Sequence, residues 1–208
     1  MIFNLNKRIF VFALMVLPVP FTTQAPFAQW SDARQQDGCE EAGAVMAMAW
    51  AQGKKTITKE NARKEIIAIS DFELKKYGEY RDISLPDLRS WVFIGYFKYN
   101  EKKVRVLENI KLEDLKKELK KGNLVLVPTD GRALKNPFFK APGPERHLVV
   151  LKAYDPKKKE FVTNDPGTRK GENYRYPENI LFKAIRAYPT GYHLPIKEIK
   201  KTMLVVEK

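Results

Sequence analysis

The sequence has one cysteine, Cys39, and two histidines, His147 and His193, in 208 residues. A single cysteine excludes an intramolecular disulfide and any zinc-finger pattern of paired cysteines. Two histidines leave little from which to build a metal centre, so no metal or other cofactor is expected. Acidic residues are also in deficit: 25 Asp and Glu stand against 38 Lys and Arg, a formal charge of +13 and a pI of about 9.7. Such an excess points to an anionic neighbour: membrane surface, cell-wall polymer or nucleic acid. The lysines are scattered in short runs such as Lys116-Lys117 and Lys157-Lys158-Lys159. No nucleic-acid-binding motif accompanies them, which removes nucleic acid from the expected partners. Repeats and low-complexity segments are missing. The length suits one domain with a short extra segment, expected to be a monomer.

Long hydrophobic runs are missing too, apart from Ile9 to Leu17, which follows Lys7-Arg8. A basic stretch and then a short apolar one is the layout of an export signal or signal-anchor. The run is short for a bilayer span. The expectation is a leading segment over 1–17, a domain over 18–208 and an extracytoplasmic protein, secreted or anchored. The alternative is a buried element at the start of a cytoplasmic domain. Thr23-Gln24-Ala25 resembles a small-x-small cleavage site. Pro18 and Pro20 instead end the apolar stretch where an extended domain segment, Val19 to Gln24, would begin.

What the chain does hold is organised around Cys39. Asp37 and Glu40 form a capping-box variant, so a helix should begin at Gly38 or Cys39. Ala42, Val45, Met46, Ala49 and Trp50 make one buried stripe of it, and Gly53 stops it. Cys39 then leaves the first helical turn, where free N–H groups and the helix dipole favour a thiolate. The competing reading is a small buried cysteine that only fills space. Further helices are expected from Thr58 to Gly78 with a restart at Asp71, after Ser84, over Leu112 to Leu119, and from Pro177. Strands are expected at Val104 to Leu107, Leu124 to Pro128, His147 to Tyr154, Glu160 to Asn164 and Thr202 to Val206. Helices first and an antiparallel sheet after them argue for the α+β class.

His147 opens an apolar strand after the long loop that starts at Thr129 and ends at Arg146. Asp165 follows the return strand of the same hairpin. In antiparallel pairing the end of the second strand comes back beside the start of the first, so Asp165 can lie next to His147. Cysteine chemistry needs a thiolate, a base and an orienter for that base. Cys39, His147 and Asp165 supply those three types. Taken singly, His147 reads equally as a satisfied strand-end histidine and Asp165-Pro166-Gly167 as an ordinary turn.

Four blocks carry a resemblance: Val19-Pro20-Phe21-Thr22-Thr23-Gln24, Asp37-Gly38-Cys39-Glu40-Glu41-Ala42, His147-Leu148-Val149-Val150 and Asn164-Asp165-Pro166-Gly167-Thr168-Arg169. Together and in this order they resemble the bacterial C39-like cysteine peptidases. The resemblance implies a papain-like fold, with a nucleophile helix packed on a C-terminal antiparallel sheet. It implies Cys39 as nucleophile, His147 as general base and then acid, and Asp165 as orienter. It also implies that Gln24 donates to the oxyanion, with Gln35 and Gln36 as nearer rivals for that role. The family's type members trim leader peptides after Gly-Gly and are fused to a transporter. No transporter segment follows here, so that specificity is not carried over.

The expected function is hydrolysis of peptide bonds in a peptide or protein substrate by a stand-alone exported enzyme, through a thioester on Cys39. A cell-wall amidase or endopeptidase of the same fold, and a non-catalytic binding module, are the alternatives. Lys135, Lys140 and Arg146 in the loop before His147 would favour acidic substrate positions.

Overall fold

The computed structural model describes residues 16–208. The apolar run expected as an export signal lies, but for its last two residues, outside them. Leu17 is buried in the domain core, and its N–H donates to the Lys152 carbonyl. Among the described residues no helix is long and apolar enough to cross a membrane.

The elements follow the expected order of helices and then sheet. After a short α1 (Ala33–Gln36) come α2 (Cys39–Ala51), α3 (Lys59–Tyr77) and α4 (Leu85–Asp87), which widens into a π-helix over Leu88–Tyr96. The rest is β1 (Val104–Glu108), α5 (Leu112–Lys120), β2 (Leu124–Thr129), β3 (His147–Asp155), β4 (Glu160–Asn164), β5 (Tyr174–Pro177), α6 (Glu178–Ala184) and β6 (Thr202–Val206). The six strands form one antiparallel sheet in the order β1-β6-β2-β3-β4-β5. This is the α+β class expected.

The central strands explain themselves through their period of two. Leu124, Leu126, Leu148, Val150, Leu204 and Val206 face one layer, made of α2, α3 and the π-helix. Val125, Val127, Val149, Leu151, Met203 and Val205 face the other, made of α5 and α6. With both faces covered, the strands read as unbroken apolar runs and not as an alternation.

Several expectations change in detail. Helix α2 begins at Cys39, but its N-cap is Gly38, with no side-chain cap; Asp37 does not cap it. Glu40 does not reach back to close a capping box, because its carboxylate is engaged by Cys39 and Tyr188. The apolar stripe also proves too narrow a description, since every residue from Cys39 to Trp50 is buried. The helix lies between the sheet and α3, so no face of its first three turns meets water. Gly43 permits that depth: a Cβ there would lie 2.4 Å from Leu148 Cδ2. Helix α3 runs through Asp71 without a restart, from the Thr58 hydroxyl cap to Gly78 in the left-handed region. Strand β5 was not expected. Its four residues, Tyr-Arg-Tyr-Pro, end in the proline that caps α6.

Candidate active site

The first turn of α2, the start of β3 and the turn after β4 meet at one cleft of about 930 Å³. Cys39, His147, Gln24, Gln36 and Gly167 all line it. The hairpin places His147 and Asp165 as its register requires. Val150 pairs with Asn164, and the next residue beyond β4 turns its carboxylate onto the ring of His147. Asp165 Oδ1 lies 2.8 Å from His147 Nε2. That contact leaves Nδ1 as the ring's second site for proton exchange.

The carboxylate of Asp165 is fully buried and fully engaged. Oδ1 accepts from the Gly167 N–H at 2.9 Å as well as facing His147. Oδ2 accepts from the Tyr176 hydroxyl at 2.5 Å and from Asn136 Nδ2 at 3.3 Å. Burial alone would push this carboxyl up. The charge of His147 and hydrogen bonds from His147, Tyr176 and Gly167 outweigh it and hold Asp165 below the ordinary aspartate range. The ring of His147 is steadied by Phe139, packed edge-on with centroids 5.2 Å apart. Tyr176, Asn136 and Phe139 were not singled out from the sequence. Their positions depend on β5 and on the fold of the loop over 130–146, and neither has a local sequence signature.

Cys39 occupies the helix start, as expected, but its electrostatics differ from expectation. Its Sγ donates to Glu40 Oε2 at 3.0 Å, and among the described residues it has no hydrogen bond to His147. Burial, then the charge and acceptor of Glu40, then Glu41, push the thiol well above its usual range. The backbone N–H of Leu148, next to His147, pulls the other way with less effect. The free N–H groups of the helix start are outweighed first by burial and then by the Glu40 carboxyl one residue from the sulfur. The local preference for a thiolate is thus opposed by burial and by Glu40.

Gln24 lies in the cleft wall. Its backbone N–H donates to Pro166 O, and its Nε2 reaches the carbonyls of Gln35 at 3.1 Å and Gln36 at 2.7 Å. Of its two rivals, Gln36 lines the cleft, while the buried Gln35 side chain turns to Asp32.

The loop over 130–146 borders the cleft with Phe138, Phe139, Lys140 and the stretch from Ala141 to Arg146. Lys140 faces it from this loop, and Arg169 and Lys170 join from the turn after β4. Lys135 is not among the lining residues. Arg146 is buried and committed to Asp82 at 3.2 Å, so it clamps the loop and is not free for an acidic substrate group. Among the described residues, no group of three or more His, Cys, Asp or Glu side chains is placed to hold a metal ion.

Comparison with known proteins gives the family and the fold. A family model described as "Peptidase_C39 like family" matches residues 16–190. Eight solved chains match, among them a Bacillus anthracis protein provisionally assigned as a C39-like peptidase. That structure is 17% identical, aligns over 94% of this chain and 98% of its own, and has a TM-score of 0.57. At such identity the likeness is one of fold: helices packed on an antiparallel sheet, consistent with the papain-like fold that the resemblance implied. None of the curated proteins matches.

Proposed function

The chain belongs to the Peptidase_C39 like family, and from that premise we propose that it is a cysteine peptidase acting through Cys39, His147 and Asp165. The observation that carries this reading is the buried His147–Asp165 pair, 2.8 Å apart, with His147 lining the same cleft as Cys39. In the proposed reaction Nδ1 of His147 takes the thiol proton and the sulfur attacks the scissile carbonyl. Asp165 holds the ring and stabilises its charge. The same nitrogen then protonates the leaving amine, which leaves a thioester. Water, activated by His147, hydrolyses it and returns the thiol.

The oxyanion of each tetrahedral intermediate would be met by the Cys39 backbone N–H, free of helical partners at the first turn of α2. Gln24 supplies the second donor in this reading. Its amide is parked on two carbonyls, and an anionic acceptor makes the stronger hydrogen bond, so one N–H turns from Gln35 to the oxyanion. Gln24→Ala should lower kcat roughly a hundred- to a thousand-fold, as loss of one such donor typically does, with little change in KM. Steady-state kinetics on a cleaved peptide checks this. If Gln36→Ala carries that loss and Gln24→Ala does not, the donor is Gln36.

An extracytoplasmic location belongs to the same proposal. A signal cut after Ala25 would remove Val19 and Pro20, whose carbonyls receive the Asn164 side chain beside Asp165. It would remove Gln24 as well. Any processing that spares activity therefore falls before Val19.

The cationic rim of Lys140, Arg169 and Lys170, with the charge of +13, favours an anionic substrate and supports a second reading as a cell-wall amidase or endopeptidase. One experiment separates the readings. The purified protein and its Cys39→Ala variant are incubated with a peptide library and with peptidoglycan, and the products are identified by mass spectrometry. Cys39-dependent cleavage of library peptides is the expected result. Cleavage of peptidoglycan alone would replace the peptidase with the amidase, and cleavage of neither would favour a binding module.

A further inference from the structure

Behind the nucleophile lies a cluster of buried acids that the reaction above does not use. Glu40, 1% exposed, accepts from two donors and, among the described residues, makes no ion pair: Cys39 Sγ donates to Oε2 at 3.0 Å, and the Tyr188 hydroxyl donates to Oε1 at 2.5 Å. Tyr188 is itself buried and comes from the segment after α6, 148 residues away. On the same helix sits Glu41, and α3 brings Glu73 against it; both are buried. The charge of Asp82 also raises Glu40, although Arg146 pairs with Asp82 at 3.2 Å. A carboxylate that accepts a thiol proton 3.0 Å away is not a spacer. It competes with His147 for the proton that must leave before the sulfur can attack.

We propose that Glu40 belongs to the reacting machinery. It holds the Cys39 thiol neutral in the resting site, and it must itself take up a proton before the thiolate forms, so the nucleophile is switched on by mild acid. This rests on the reading of Cys39 as nucleophile. The proton count is explicit. Glu40 gains one proton from solvent. The Cys39 proton passes to Nδ1 of His147. The resulting thiolate accepts the new Glu40 O–H, in place of the S–H that pointed the other way. A charged Glu40 opposes the thiolate by repulsion; a protonated one donates to it.

The titration falls in a useful range. Burial raises Glu40, the Tyr188 and Cys39 donors lower it, Asp82 raises it, and the result is about 7. Burial and then the charges of Glu73 and Glu40 push Glu41 well up, and burial with the charges of Glu40, Asp87 and Glu79 raises Glu73 to about 8 although Glu41 lowers it, so the two add little charge near neutral pH. Glu40 is thus mostly protonated at pH 6 and mostly charged at pH 8. An unhindered thiol behaves oppositely and reacts faster as pH rises.

The test is the rate of Cys39 alkylation by iodoacetamide from pH 5 to 9, which needs no substrate. In the wild-type protein the rate should fall as pH rises through about 7. Glu40→Gln keeps the shape and removes the charge. Its fall should vanish, and alkylation at pH 8 should be faster by about tenfold or more, the effect of one pKa unit on a thiol. Tyr188→Phe removes a donor that lowers Glu40, so the fall should move to higher pH. An unchanged profile in Glu40→Gln, or slower alkylation at pH 8, would overturn the proposal. Should Glu40→Gln not fold, an unshifted profile in Tyr188→Phe would do the same. Peptide turnover is measured separately: a Glu40-dependent profile without any cleavage would overturn the peptidase reading and leave the role of Glu40 standing.

Discussion

Cys39→Ala and His147→Ala will each reduce peptide turnover by a factor on the order of 10⁶, and the double variant will be no worse than either. The physical reason is that neither group works alone. Without the base the buried thiol stays protonated, since burial and Glu40 already hold its proton in place. Without the sulfur, His147 has no nucleophile to serve. Cys39→Ala exchanges one small buried side chain for another and should leave the fold intact. His147→Ala takes a ring away from Phe139 and one partner from Asp165. It should cost about 1–3 kcal/mol, the typical penalty for leaving a buried polar group short of a partner. Turnover and thermal unfolding, measured on the same samples, separate the two effects. Losses that multiply in the double variant would mean the two residues act independently, and the assignment of the pair would be wrong.

Replacing Asp165 should hurt both activity and stability, because its four contacts all come from donors. Asp165→Ala leaves the Tyr176 hydroxyl, the Gly167 N–H, Asn136 Nδ2 and His147 Nε2 without their acceptor in a dry site. Breaking a buried charge-paired network in this way costs about 3–5 kcal/mol. Asp165→Asn is gentler and more informative. Its oxygen can still take the His147 N–H and the Gly167 N–H, so part of the activity should survive. Its new amide then faces the Tyr176 hydroxyl and Asn136 Nδ2, where donors meet a donor. We expect a loss of about 1–3 kcal/mol in stability and a fall in kcat with KM nearly unchanged. Urea unfolding and steady-state kinetics check both. An Asn variant as stable as wild type but wholly inactive would make Asp165 essential as a charge and not only as an orienter.

Both predictions rest on residues that were legible in the chain, though not equally. The hairpin from His147 to Asp165 could be read because antiparallel pairing converts an interval of 18 residues into spatial neighbours. The start of α2 could be placed at Gly38 or Cys39 from the capping-box pattern of Asp37 and Glu40, although the box itself does not form. Gln24 was reached only through its likeness to a family block; nothing local links it to Cys39, fifteen positions away. Tyr176 and Asn136 were missed for the same reason. Each reaches Asp165 through an element, β5 or the loop over 130–146, whose course is set by what it packs against.

The sequence by itself determined the α+β class, the order of helices before strands, the apolar strands of the sheet centre and the pairing of His147 with Asp165. These follow from periodicity, capping and hairpin register, which act over a few residues or one turn. The surroundings of Cys39 were set by the packing of the whole chain. A cysteine at a helix N-terminus reads locally as a thiolate, because the local field is positive. Packing α2 between the sheet and α3 removes water from that end of the helix and brings Tyr188 in behind Glu40. Desolvation and then a neighbouring carboxylate outweigh the helix dipole and push the thiol up.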